Sequence, residues 1–91
     1  MAQFDVPVAA VPNQFFSTTL NGVTWQITLS TRKNKLYASL ESSDGKVLYN
    51  RVCLDRTYIG FGFFFYDIDG TSDPTYDGLG TRYLMVWDDG Q

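Results

Sequence analysis

The chain contains no histidine, which removes the usual general base and every histidine-dependent catalytic triad. It has one cysteine, Cys53, so no internal disulfide and no cysteine-rich scaffold can form. No CxxC or Cys/His spacing surrounds it, and between Val52 and Leu54 it reads as a buried, inert thiol. No apolar run approaches the roughly 20 residues that span a bilayer as a helix. The N-terminal Met-Ala-Gln-Phe-Asp lacks the basic and apolar regions of a signal peptide, so synthesis in a cytoplasm is expected. Gly60-Phe61-Gly62 lacks the later glycine and following helix of a phosphate-cradling loop. Catalysis, cofactor binding and membrane anchoring all lack their usual residues.

What is present is apolar and aromatic. The 91 residues are 44% hydrophobic and 16% aromatic, too rich in rings for a disordered chain. A domain of this size buries about two-thirds of its unfolded surface, leaving room for one modest core and no deep substrate cleft. The aromatics exceed what such a core encloses, which points to cover supplied by a partner.

The pattern is that of an all-β chain, a small antiparallel barrel or two-layer sandwich of about six strands joined as a meander. Pro7 and Pro12 discourage a helix in residues 1–13, which read as an extended N-terminal arm beside a single β domain at 14–91. A first strand at 14–20 leads to Asn21-Gly22, a strong hairpin signal because both turn positions need positive φ. Residues 23–31 then alternate, with Val23, Trp25, Ile27 and Leu29 on one face and Thr24, Gln26, Thr28 and Ser30 on the other. The basic tip Arg32, Lys33 and Lys35 turns the chain into a strand alternating Leu36, Ala38 and Leu40 with polar neighbours. Ser43-Asp44-Gly45 makes a second hairpin turn before a strand at 46–54.

Alternation fails in residues 58–66. Read as one strand, Ile59, Phe61, Phe63 and Phe65 line one face, and Tyr58, Gly60, Gly62, Phe64 and Tyr66 line the other. Neither face suits water. One fills the core, and the other needs a covering element or subunit, so Tyr58, Phe61, Phe63, Phe64, Phe65 and Tyr66 are the interface candidates. Trp25 and Trp87 are read first as core residues. If exposed, they would support, with the exposed tyrosines, a carbohydrate- or peptide-binding module, the alternative function.

Charge is split along the chain. Residues 1–66 carry six basic and four acidic groups, whereas 67–91 carry six acidic groups and Arg82 alone. The acidic end argues against nucleic acid, and opposite ends of neighbouring subunits could pair head to tail in a ring. Asp67, Asp69, Asp73 and Asp77 are weak candidates for a calcium site. Their spacing lacks the EF-hand's fifth-position Asp or Asn and twelfth-position Glu, and Asp and Gly are also ordinary turn residues. The expectation is turns without a metal.

The string Asp69-Gly70, Asp73-Pro74-Thr75-Tyr76 and Leu79-Gly80-Thr81-Arg82, with the apolar strand that follows to Trp87, resembles the small baseplate plug proteins of tailed phages. These are known from a cyanophage with a contractile tail. Pro12-Asn13-Gln14-Phe15, Leu20-Asn21-Gly22 before Trp25, and Asp44-Gly45 support the likeness, which covers about residues 10–88. It implies a structural, non-enzymatic virion protein of the tail baseplate hub, made in the host cytoplasm. Such a plug would sit near the junction of tail tube, hub and spike in several copies, contacting the hub and the tape-measure protein.

Overall fold

A computed structural model describes residues 3–88. The strands are β1 (Gln3–Val6), β2 (Gln14–Leu20), β3 (Val23–Arg32), β4 (Lys35–Ser42), β5 (Val47–Val52), β6 (Tyr58–Gly60), β7 (Phe63–Asp67) and β8 (Tyr83–Asp88), with a short 3-10 turn at Tyr76–Gly78. They form two four-stranded antiparallel sheets, ordered β2-β3-β4-β5 and β1-β8-β7-β6. The fold is a sandwich. It does not close into a barrel, so each sheet keeps two edges.

The first sheet is the expected meander. Asn21 and Gly22 take φ of 52° and 81°, and Lys33 and Asn34 take 50° and 64°. Both pairs place two consecutive residues in the left-handed region, as a two-residue turn matched to strand twist requires. Trp25, Ile27 and Leu29 of β3 and Leu36, Ala38 and Leu40 of β4 point inward. Thr24, Gln26 and Thr28 face out.

The second sheet departs from the six-strand count in two places. Gln3–Val6 pairs along the closing strand, with Phe4 opposite Trp87 and Val6 opposite Met85. Residues 58–66 are two strands and not one, because Phe61 and Gly62 turn with φ of 54° and 90°. Phe61 is a bulky residue in a conformation that costs energy outside glycine. Its carbonyl accepts the Trp87 Nε1–H at 3.0 Å, and its ring lies 5.7 Å from that of Trp25. Gly62 is required there, since a side chain would strike the Asp88 carbonyl. These two departures raise the strand number from six to eight.

The core lies between the sheets. Phe63 and Phe65 are fully buried in it with Ile27, Leu29 and Met85, and the Phe63 ring meets Trp25 edge-on at 5.0 Å. Trp25 and Trp87 are also buried. The Trp25 Nε1–H has no hydrogen-bond partner among the described residues, so packing alone holds that ring. Cys53 is buried as expected, and burial pushes its thiol up to about 12. The thiolate is therefore scarce near neutral pH, and the native chain should react with a disulfide reagent at least roughly 100-fold more slowly than the unfolded chain. Equal rates in buffer and in denaturant would contradict this burial.

Candidate assembly surface and the loop that frames it

β7 presents alternate residues to opposite sides of its sheet. Phe63, Phe65 and Asp67 point inward and are buried, while Phe64 and Tyr66 point outward and are half-buried. The register carries the outward row across the sheet, with Phe64 between Tyr58 of β6 and Val86 of β8, and Tyr66 beside Leu84. The rings of Tyr58 and Phe64 meet edge-on at 5.2 Å, and those of Phe64 and Tyr66 lie 6.3 Å apart. Val86 belongs to this outer side and is still only 3% exposed, covered by its neighbours.

Polar groups edge the apolar stripe. The Tyr58 hydroxyl donates to Asp88 Oδ2 at 3.1 Å, and that contact raises the Tyr58 pKa. Gln3, Asp5 and Arg56 flank Phe64 and Tyr66 around a shallow open depression of about 430 Å³. Of the interface candidates, Tyr58, Phe64 and Tyr66 thus share one outward face, and Phe61 sits exposed at the β6–β7 turn. Phe63 and Phe65 are corrected: with Ile59 they form the inward face of this sheet, and both rings belong to the core, whereas Phe61 leaves that face at the turn.

The acidic loop after β7 is organised around one buried carboxylate. Asp67 is fully buried and receives a two-pronged contact from Arg82, Nε and a terminal nitrogen each at 2.9 Å. The backbone N–H groups of Asp69 and Ser72 donate to the same carboxylate at 2.8 and 3.0 Å. Arg82 foremost, with these backbone donors, holds the Asp67 carboxyl well below the usual carboxylate range against the opposing effect of burial. The same contact raises the Arg82 pKa.

Two more carboxylates cap backbone in the same way. Asp73 accepts the Asp55 N–H at 3.0 Å, and Asp55 accepts the Asp67 N–H at 2.8 Å. Arg56 bonds the Asp55 carboxylate and the Gly70 carbonyl. Thr75 donates to Asp77 at 2.6 Å beside the Tyr76–Gly78 turn. Pro74 and Leu79 are buried, which pins the loop to the sandwich. Gly80 holds a φ of 84° with its α-carbon close to the Val8 carbonyl, so the loop packs under the segment after β1.

The four aspartates named for calcium therefore go different ways. Asp67 faces inward onto Arg82, Asp69 is exposed, Asp73 caps Asp55, and Asp77 meets Thr75. Among the described residues, no three His, Cys, Asp or Glu side chains converge as metal ligands would. Sequence reasoning missed Asp55, Arg56 and Arg82 as the organisers. The available signal was Arg82, the lone basic residue in an acidic stretch.

A family model described as "Cyanophage baseplate Pam3 plug gp18" matches residues 1–90. The chain belongs to the cyanophage baseplate plug family. The resemblance carried by the loop from Asp69 to Arg82 is thereby confirmed over nearly the whole chain. No curated protein matches it. Membership in the plug family makes this a structural protein of the phage baseplate, where function is contact with other baseplate proteins. The alternative of a sugar-binding platform loses Trp25 and Trp87, both of which the core encloses.

Proposed function

We propose that the chain is a subunit of the baseplate hub of a contractile phage tail. It plugs or bridges the junction of tail tube, hub and spike through protein contacts. Hub, spike, tube and tape-measure proteins are the partners, and several copies surround the tail axis. The supporting observation is the outward face of the second sheet, where Tyr58, Phe64 and Tyr66 form an aromatic stripe although the inner face already supplies the core. Such a face is costly to leave in water and is rimmed by polar groups, as protein-binding patches are.

Phe64→Asp tests this reading. The side chain is outward, so the variant should fold with a loss of about 1 kcal/mol or less. It should also be depleted at least roughly ten-fold from purified tails in a phage lacking its own copy, as central aromatic contacts dominate interfaces. Incorporation at the wild-type level would sink the aromatic face as the contact, and absence of the wild-type chain from purified baseplates would sink the hub reading itself.

A further inference from the structure

We propose that β2 is a docking edge that accepts an extended strand from another protein, uncharged over about seven residues and acidic at its C-terminal end. The inference rests on the edge alone and does not depend on the aromatic face.

Open sheet edges are templates for foreign strands, and native proteins blunt them with shortness, charge, proline or bulges. Three of the four edges here are blunted. β1 has four residues, carries Asp5 and runs into Pro7. β6 has three residues and an irregular register. β5 carries a register shift, Arg51, and Asn50 at a φ of 54°. β2 has none of these features. Its seven residues hold no charge and no proline, and its register with β3 is unbroken from Gln14 to Leu20.

The hairpin fixes which backbone groups are available. Leu20 and Val23 flank the two-residue turn and form a hydrogen-bonded pair, so Thr18, Phe16 and Gln14 also bond β3. The N–H and C=O groups of Phe15, Ser17 and Thr19 therefore point away from the sheet. A groove of about 570 Å³ runs along this edge between residues 7–9 and residues 14–18. Five strand residues are about 16 Å long, giving the groove a cross-section of roughly 35 Å², the room of one extended chain. At the opposite seam no such slot exists, since Leu48 of β5 packs directly against Gly60 of β6.

The groove also states what enters it. Residues 7–9 line the side of the groove away from β2, and the Gln14 side chain crosses to the Ala9 backbone at 2.7 and 3.1 Å, so a single free segment fits and a strand with its own neighbour does not. The groove lining is uncharged. At its Gln14 end stands the β3–β4 turn, tied there by Thr31 bonds to Asn13 and to the Pro12 carbonyl. That turn carries Arg32, Lys33 and Lys35, none in an ion pair among the described residues. An antiparallel guest has its C-terminal end beside this cationic turn, where acidic residues complement it.

Amide hydrogen exchange tests the proposal on two preparations. In purified tails, the segment 14–20 should exchange at least roughly ten-fold more slowly than in the free chain. As a probe on the free chain, a nine-residue peptide of alternating Thr and Val closing on two Asp should slow the amides of Phe15, Ser17 and Thr19. Ser17→Pro deletes the central outward N–H and leaves the β2–β3 bonds in place, so it should fold and abolish that slowing. Replacing the two Asp with Lys should weaken binding roughly ten-fold at low salt. Unchanged exchange in tails, or slowing that survives Ser17→Pro in a folded variant, overturns the proposal. Protection of the three amides in a self-associated chain without peptide overturns it in favour of a second copy. A chain missing from the tails counts against the hub reading, and the peptide then decides this one alone.

Discussion

Phe63→Ala should lower the unfolding free energy by about 3–5 kcal/mol, and Phe63→Asp should leave the chain unfolded at 25 °C. Phe63 is fully enclosed, with Trp25 edge-on at 5.0 Å and Trp87 at 6.4 Å. Its removal leaves a cavity walled by two rings that the strand ladders fix in place, so the site collapses poorly. A domain of this size has roughly 5–15 kcal/mol in total, and an unpaired carboxylate at the same position consumes most of it. Urea unfolding followed by tryptophan fluorescence reads both variants. The neighbouring Phe64→Asp serves as the internal control, since its side chain lies on the other face of the same strand. Equal destabilisation at the two positions would mean that the alternation, and hence the assignment of inner and outer faces, is wrong.

The two positions also show how far the sequence alone reaches. The β2–β3–β4 meander was legible because its signals are local: Asn21-Gly22 supplies the turn, and Trp25, Ile27 and Leu29 supply the period. The structure keeps all three inside. The aromatic segment was not legible because its break is set from a distance. Phe61 is a poor residue for a left-handed turn, and its placement depends on contacts with Trp25 and Trp87, far away in the chain. Reading through the turn as one strand put Phe61 on the same face as Ile59, Phe63 and Phe65, which the structure buries while it exposes Phe61. The pattern separated Phe63 and Phe65 from Phe64 and Tyr66 but did not say which face looks inward, so both sets stood as interface candidates. The pairing of Gln3–Val6 with the closing strand was hidden similarly, because two nearby prolines describe an extended segment and say nothing about its partner.

The family loop shows the same division between local and distant information. Its turn residues were visible, and so was its likeness to the plug proteins, since both reside in a contiguous string from Asp69 to Arg82. What the carboxylates do was not visible. Four aspartates spaced along a loop look alike on paper, yet one faces inward onto an arginine fifteen residues away, and another caps a backbone N–H eighteen residues away. Asp67 and Asp73 accept orphan backbone N–H groups in a loop without regular ladders, where each such donor needs an acceptor.

Asp67→Asn should therefore lower Tm at neutral pH by on the order of 10 °C, the largest effect of any carboxylate in the loop. The amide cannot accept both prongs of the Arg82 guanidinium together with the N–H groups of Asp69 and Ser72, and it leaves the arginine without its counter-charge. The pH dependence separates this charge effect from packing. The folded-state pKa of Asp67 is depressed below its ordinary 3.8, chiefly by Arg82. Its contribution is present in full above that ordinary value and fades as pH falls through the depressed one. The gap in Tm between wild type and Asp67→Asn should accordingly hold from pH 8 to about pH 5 and narrow below about pH 4. Asp69→Asn and Asp77→Asn should shift Tm by no more than about 3 °C, because both side chains are exposed. Arg82→Lys keeps the charge and loses the fork, so it should fall between wild type and Asp67→Asn. A gap that stayed constant from pH 7 to pH 2 would assign the loss to shape alone. The loop would then be held by its buried Pro74 and Leu79, with the Asp67–Arg82 pair contributing no stabilising charge.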